Sequence, residues 1–215
     1  MTEGTAEPAG PAGLPDQAVM GTDDGPGPPG YPAQYEQELV LSDGRSVLIR
    51  PIRPSDAPEL AEAIRTADPD TLRRRFMGGA PRVTPALLEH LTVLDYVRRF
   101  ALVAVDPRTG RGVAVARYEP AGPGNAEIAV AVTPAWRCAG LATVLILLLA
   151  QAAAERGIRT FSASYLADNR PIATMARTVP QLGRPVIRQG IAELSLALDQ
   201  AEPVDGPRPG PDGRV

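Results

Sequence analysis

The chain has 215 residues, room for one domain of ordinary size, and a formal net charge of -3. All 22 basic residues are arginine, and the slight acidic excess excludes the basic footprint of a nucleic-acid binder. One cysteine (Cys138) and one histidine (His90) exclude an intramolecular disulfide and an ordinary Cys/His zinc site, and the lone thiol suits a reducing cytoplasm.

Residues 1–35 are dominated by Gly, Pro, Ala and acidic residues, with no basic residue and little to bury. Such a segment cannot offset its ordering entropy and is expected to be disordered. It also lacks the charged start and apolar run of a signal peptide. A single domain is expected over residues 36–199. Asp43-Gly44 between the apolar stretches 38–41 and 46–52 predicts a β-hairpin. Ser55 or Asp56 is placed to cap a helix reaching about Ala67, with Leu60, Ala61 and Ile64 at helical spacing. Short helices follow over 70–76 and 84–91, the second opened by Thr84-Pro85 as cap and first helical position. Arg73-Arg74-Arg75 reads as a solvated face of the first. His90, beside Leu87, Leu88 and Leu91, reads as a helix-face histidine with no chemical duty.

Strands are predicted over 100–105 and 113–118, joined by a turn through Pro107 and Gly110, and over 127–132 after a Pro/Gly loop at 120–124. A long apolar helix then runs to about Arg156, stopped by Gly157. Its most apolar part, 143–154, is too short to span a bilayer and reads as a buried helix, so no membrane association is expected. A strand over 160–165 precedes Asp168-Asn169-Arg170-Pro171, which opens a further helix. Strands 186–189 and 193–198 close the domain, and residues 200–215 form a second disordered tail. Alternation of this kind is that of an α/β domain.

The stretch Glu127-Ile128-Ala129-Val130-Ala131-Val132-Thr133-Pro134-Ala135-Trp136-Arg137-Cys138-Ala139-Gly140-Leu141-Ala142 is a strand, a turn, a small-residue loop and a helix start. Small residues at 139, 140 and 142 let a ligand approach the backbone. The unpaired N–H groups and positive end of the helix dipole face an anion such as a pyrophosphate, with Arg137 placed to add charge. Neither Gly-Lys-Ser/Thr nor Gly-x-Gly-x-x-Gly is present. The alternative is a tight strand–helix turn packed with small residues.

This run resembles motif A of the GNAT superfamily of acyl-CoA N-acyltransferases, Arg/Gln-x-x-Gly-x-Gly/Ala, supplied here by Arg137, Gly140 and Ala142. Ala154-Glu155-Arg156-Gly157-Ile158 and Asp168-Asn169-Arg170-Pro171-Ile172 are similar to the family's helix end and its strand-to-helix asparagine segment. Within the family, Ala126-Glu127-Ile128-Ala129 looks most like bacterial protein-lysine acetyltransferases. The resemblance implies a mixed, mostly antiparallel central sheet flanked by helices on both sides. It implies acetyl-CoA, or another acyl-CoA, as cosubstrate, no metal, and a primary amine as acceptor, on a protein lysine or a small molecule.

By the same likeness, the amides of Cys138, Ala139, Gly140, Leu141, Ala142 and Thr143 bind the CoA pyrophosphate. Ile128, Ala129, Val130 and Val132 offer backbone hydrogen bonds to the pantetheine arm and thioester carbonyl, Asn169 bonds the pantetheine region, and Glu127 is the general base. Cys138-Ala139 departs from the glycine and arginine usual in the loop, and Thr178 and Pro180 lie where the family often carries a general-acid tyrosine. These departures leave open a non-catalytic acyl-CoA-binding module as the alternative to an enzyme. Residue by residue, the alternatives are a solvated strand-end Glu127, a small filler at Cys138, Trp136 packed under the loop, and Tyr118 and Tyr165 as core or edge residues. A chain without lysine cannot acylate side-chain lysines of its own.

Overall fold

Residues 27–77, 81–170, 172–174 and 184–198 are described by a computed structural model. Most of the two expected tails, together with Thr178 and Pro180, lies outside the described residues. The predicted hairpin forms from β1 (Gln37–Val40) and β2 (Ser46–Pro51). Gly44 at its turn adopts φ 85°, a left-handed backbone that costs glycine nothing. A short 3-10 turn, Pro54–Asp56, leads into α1 (Ala57–Thr66). Asp56 does not cap α1 with its side chain. Its buried carboxylate instead takes both Nη atoms of buried Arg50, at 2.6 and 2.8 Å, and the Arg53 N–H at 2.8 Å.

The next two helices match expectation. In α2 (Pro69–Phe76), Asp68 Oδ1 accepts the Thr71 N–H at 2.9 Å; in α3 (Pro85–Thr92), Thr84 Oγ1 accepts that of Leu87 at 3.2 Å. The remaining elements are β3 (Phe100–Asp106), β4 (Arg111–Pro120), β5 (Asn125–Val132), α4 (Leu141–Glu155), β6 (Thr160–Leu166), β7 (Val186–Arg188) and β8 (Ile191–Ala197).

They build one eight-stranded sheet in the order β1-β2-β3-β4-β5-β6-β8-β7. Every pairing is antiparallel except β5 with β6. All of β3 is buried, which requires cover on both faces. Phe100, Leu102 and Ala104 pack with Leu141, Leu145 and Leu149 of α4. Ala101, Val103 and Val105 on the opposite face pack with Leu60 and Ile64 of α1 and Leu91 of α3. The mixed, mostly antiparallel sheet flanked by helices on both sides is therefore the fold expected. None of the helices among the described residues is long and apolar enough to cross a membrane.

The domain boundary expected at residue 36 falls inside packed structure. Tyr35 is 3% exposed and lies edge-on to Phe100, with ring centroids 5.2 Å apart. Tyr31 meets Tyr96 in the same way at 5.7 Å. Aromatic burial, which a composition count over 1–35 averages away, extends the ordered region N-terminally.

Candidate active site

The one parallel pairing is short. Asn125, Ala126 and Glu127 of β5 are in register with Thr160, Phe161 and Ser162 of β6, and there the pairing stops. Beyond it β5 continues to Val132, paired only with β4, while β6 continues to Leu166, paired only with β8. The two strands therefore splay into a wedge, with Glu127 at its vertex. Ile128, Ala129, Val130 and Val132 line one side of the wedge: they pair with β4 and, among the described residues, with no strand on the edge that faces the wedge. Their side chains are half-buried, Ile128, Val130 and Val132 packing toward the core under α4.

At the wide end of the wedge stands the loop leading to α4. Cys138 (φ 64°) and Gly140 (φ 82°) both take left-handed backbone, a conformation costly for cysteine. Ala139 and Leu141 are buried, while Arg137, Cys138, Gly140 and Thr143 are exposed and Ala142 half-buried. No side chain caps α4. Its first backbone bond runs from Val144 N to Gly140 O at 3.1 Å, so the amides of Leu141, Ala142 and Thr143 precede the helical ladder. A Cβ on Gly140 would meet nothing within 4 Å. This uncapped N-terminus of a 15-residue helix, with about half a positive charge from its dipole, suits an anionic phosphate.

Two features that the sequence reading passed over support the loop. The guanidinium of Arg45, in the β1–β2 turn, lies 4.1 Å from the Trp136 ring centroid and donates to Ala135 O at 2.9 Å. Ser42 Oγ donates to Ala139 O at 3.2 Å. Trp136, 8% exposed, is thus packed under the loop as expected. Arg137 is directed toward α2: its Nε donates to Val132 O at 3.2 Å and its Nη2 to Thr71 Oγ1 at 2.7 Å.

The three consecutive arginines of α2 do not form the expected solvated face, because successive helical side chains point about 100° apart. Arg73 pairs with Asp168 at 2.7 Å. Arg74 pairs with Asp70 at 2.6 Å and donates to Asn169 Oδ1 at 3.2 Å. Arg75 turns inward, where burial pushes its guanidinium below the ordinary value against the pull of Glu127 and Glu119. The helix therefore bridges the wedge, packing on β5 and β6. Asn169, 4% exposed, sits where expected, at the end of β6.

Glu127 is exposed, and among the described residues its carboxylate makes no hydrogen bond or ion pair. Directly across the β4–β5 ladder stands Glu119, which sequence reasoning missed. The ladder pairs Pro120 with Ala126 and Glu119 with Glu127, a register one residue away from the one that counting outward from the Pro/Gly loop at 121–124 would give. Glu119 Oε1 lies 3.4 Å from His90 Nε2 and 3.5 Å from Nη1 of buried Arg117. Burial, then the charge of Arg75, pushes the Arg117 guanidinium down to about 10 despite Glu119. His90 thus belongs to a charged network. Tyr118 and Tyr165 are core residues; Tyr118 donates its hydroxyl to Val97 O at 2.9 Å, and burial raises its ionisation well above the usual range.

The acetyltransferase (GNAT) domain family matches residues 46–179. Acetyltransferase PA5475 of Pseudomonas aeruginosa is 33% identical over 147 residues, covering 67% of this chain and 79% of that protein. Acetyltransferase Pat of Mycolicibacterium smegmatis is 29% identical over 169 residues, covering 78% of this chain and 49% of that one, so the chain spans about half its length. The crystal structure of the GNAT domain of S. lividans PAT superposes with a TM-score of 0.69 at 30% identity, covering 78% of this chain and 99% of that one. With family match, relative and fold in agreement, the chain belongs to the acetyltransferase (GNAT) domain family.

Proposed function

We propose that the protein transfers an acetyl group from acetyl-CoA to a primary amine, with the lysine side chain of a cytoplasmic protein as the acceptor class. The observation that carries this reading is Glu127 at the vertex of a wedge whose wide end faces the uncapped start of α4. In that arrangement the amides of residues 138–143 hold the diphosphate. The unpaired edge of 128–132 holds the pantetheine arm, and Asn169 bonds it from the end of β6. Arg137 lends charge at the loop. The thioester then lies beside Glu127. The lysine acceptor class rests on the likeness of residues 126–129 noted above.

An amine attacks only as the free base. A lysine of ordinary pKa, about 10.4, is neutral in roughly one molecule in 2,500 at pH 7, a barrier of about 4.6 kcal/mol. The Glu127 carboxylate takes one proton from the ammonium as nitrogen attacks the thioester carbonyl. The C–N bond forms, the C–S bond breaks with its electron pair leaving on sulfur, the nitrogen gives up its second proton to solvent, and the thiolate takes one from solvent.

Calorimetry with acetyl-CoA beside a thiol-release assay tests the proposal. Glu127→Gln is expected to lower kcat by at least about 100-fold, the scale of general-base catalysis, with acetyl-CoA affinity within a few-fold. An unchanged rate removes Glu127 from the mechanism. No affinity for acetyl-CoA at millimolar concentration removes the whole reading.

A further inference from the structure

We infer that Arg75 and Arg117 form a seat for a carboxylate beside Glu127, so that the acceptor lysine is one with an aspartate or glutamate within two residues of it. This deepens, and rests on, the reading of Glu127 as the base.

The two guanidinium groups meet on one face of the sheet. Val115 of β4 packs with Leu60, Ile64 and Leu91 under α1 and α3, and alternate residues of a strand point the same way, so Arg117 and Glu119 stand on that face. Arg117 Nη2 accordingly donates to Leu91 O of α3 at 2.8 Å. Directly opposite on β5 stand Ala129 for Arg117 and Glu127 for Glu119, so the base has for its neighbour a side chain that ends at Cβ. Helix α2 packs on β5 and β6 and brings in Arg75, the foremost charge acting on Arg117.

Neither guanidinium holds a carboxylate by a hydrogen bond. Arg117 is 5% exposed, and its Nη1, 3.5 Å from Glu119 Oε1, makes no hydrogen bond. Buried N–H groups are nearly always paired, and this one lacks an acceptor. Among the described residues Arg75 meets only the ring of adjacent Phe76, 5.0 Å from its centroid, and the charges of its surroundings. Burial pushes both groups below the ordinary value, and the charge of Arg75 acts on Arg117 in the same direction. Three guanidinium groups, of Arg75, Arg99 and Arg117, stand against the two carboxylates of Glu119 and Glu127, an excess of one positive charge. His90, 3.4 Å from Glu119, adds no negative charge. One carboxylate balances the cluster, and its two oxygens match the fork of a guanidinium.

The placement favours the acceptor as the source of that carboxylate. Arg117 is two residues, about 7 Å, along β4 from the residue opposite Glu127. Consecutive residues of a peptide are about 3.8 Å apart, so a segment with its lysine at Glu127 carries an acid one or two positions away toward the arginines. Strand β5 stands between Arg117 and the wedge that receives the thioester, which sets the acyl group further off.

The test is steady-state kinetics of the full chain with peptides of one lysine, carrying Glu or Gln at each of the two positions on either side, at saturating acetyl-CoA. Glu in place of Gln is expected to lower the peptide KM at least tenfold at one of these positions. Arg75→Gln, on a helix with no fully buried residue, is expected to shrink that ratio below threefold, with acetyl-CoA affinity by calorimetry within twofold. No preference for Glu at any position, or a preference of full size in Arg75→Gln, overturns the seat. A second arm compares succinyl-CoA with acetyl-CoA on the Gln peptides. Equal or slower transfer from succinyl-CoA is expected; a tenfold gain in kcat/KM that Arg75→Gln removes would put the carboxylate on the acyl group and overturn the acidic neighbour. If acetyl-CoA binds and Glu127→Gln is slow while the peptides show no preference, only the seat has failed. A full rate in Glu127→Gln brings down the reading of the base.

Discussion

Asp95 shows how one carboxylate sets up a distant site. Its Oδ1 accepts the backbone N–H groups of Val97, Arg98 and Arg99 at 2.8–2.9 Å. That turn lets buried Tyr96 adopt φ 55° and donate its hydroxyl to Ile52 O at 2.8 Å, and it delivers Arg99 to His90. Burial pushes the Tyr96 hydroxyl up to about 12. Burial also raises the Asp95 carboxyl, but the three N–H bonds and the Arg99 charge outweigh it and hold the group below its ordinary value. A folded value below the unfolded one, about 3.9, means the carboxylate stabilises the fold above that pH. The contribution disappears as pH falls through the folded value. Asp95→Asn should therefore destabilise the protein at neutral pH, with the gap to the unaltered chain closing as pH falls below about 4. Denaturant unfolding at each pH measures this, and a constant gap would assign the effect to hydrogen bonding without charge.

Two short elements condition the site without carrying its chemistry. The β1–β2 turn braces the α4 loop through Arg45 and Ser42. A cation–π contact near the surface contributes about 0.5–1 kcal/mol. Arg45→Ala should therefore weaken acetyl-CoA binding about two- to fivefold, read by calorimetry, with kcat at saturation unchanged. A drop in kcat instead would show that the turn reaches the reacting atoms. No residue of helix α2 is fully buried, and the helix is tied across the wedge by Thr71 to Arg137, Arg73 to Asp168 and Arg74 to Asn169. Its triple arginine was legible as sequence, but the partnership of Arg73 with Asp168 and of Arg74 with Asn169 was not, since each spans 95 residues.

At the scale of the whole molecule, the N-terminal aromatics are part of the core. Tyr35 packs on Phe100, and its hydroxyl bonds Glu155 at the end of α4. Truncating a large buried aromatic costs roughly 3–5 kcal/mol, and each kcal/mol shifts Tm by about 2–4 °C in a domain of this size. Deleting residues 1–26 should leave Tm within about 2 °C, whereas deleting 1–35 should lower it by about 6 °C or more. Equal melting of the two truncated proteins would mean that these rings add nothing to the core.

Local periodicity and turn chemistry determined the elements. Asp43-Gly44, Thr84-Pro85 and the small residues at 139–142 act within a few neighbours, so hairpin, capped helix and anion loop were readable along the chain, and with them Glu127. What contact between distant segments creates was not readable. The Glu119–Glu127 pairing is a matter of register, the wedge exists because β5 and β6 stop pairing after Glu127, and the contact of His90 with Arg99 needs Arg99 brought back by the Asp95 turn. Short-range sterics act between sequence neighbours and leave their mark in residue order. Electrostatic partnership acts through space, and only the folded backbone decides who stands opposite whom.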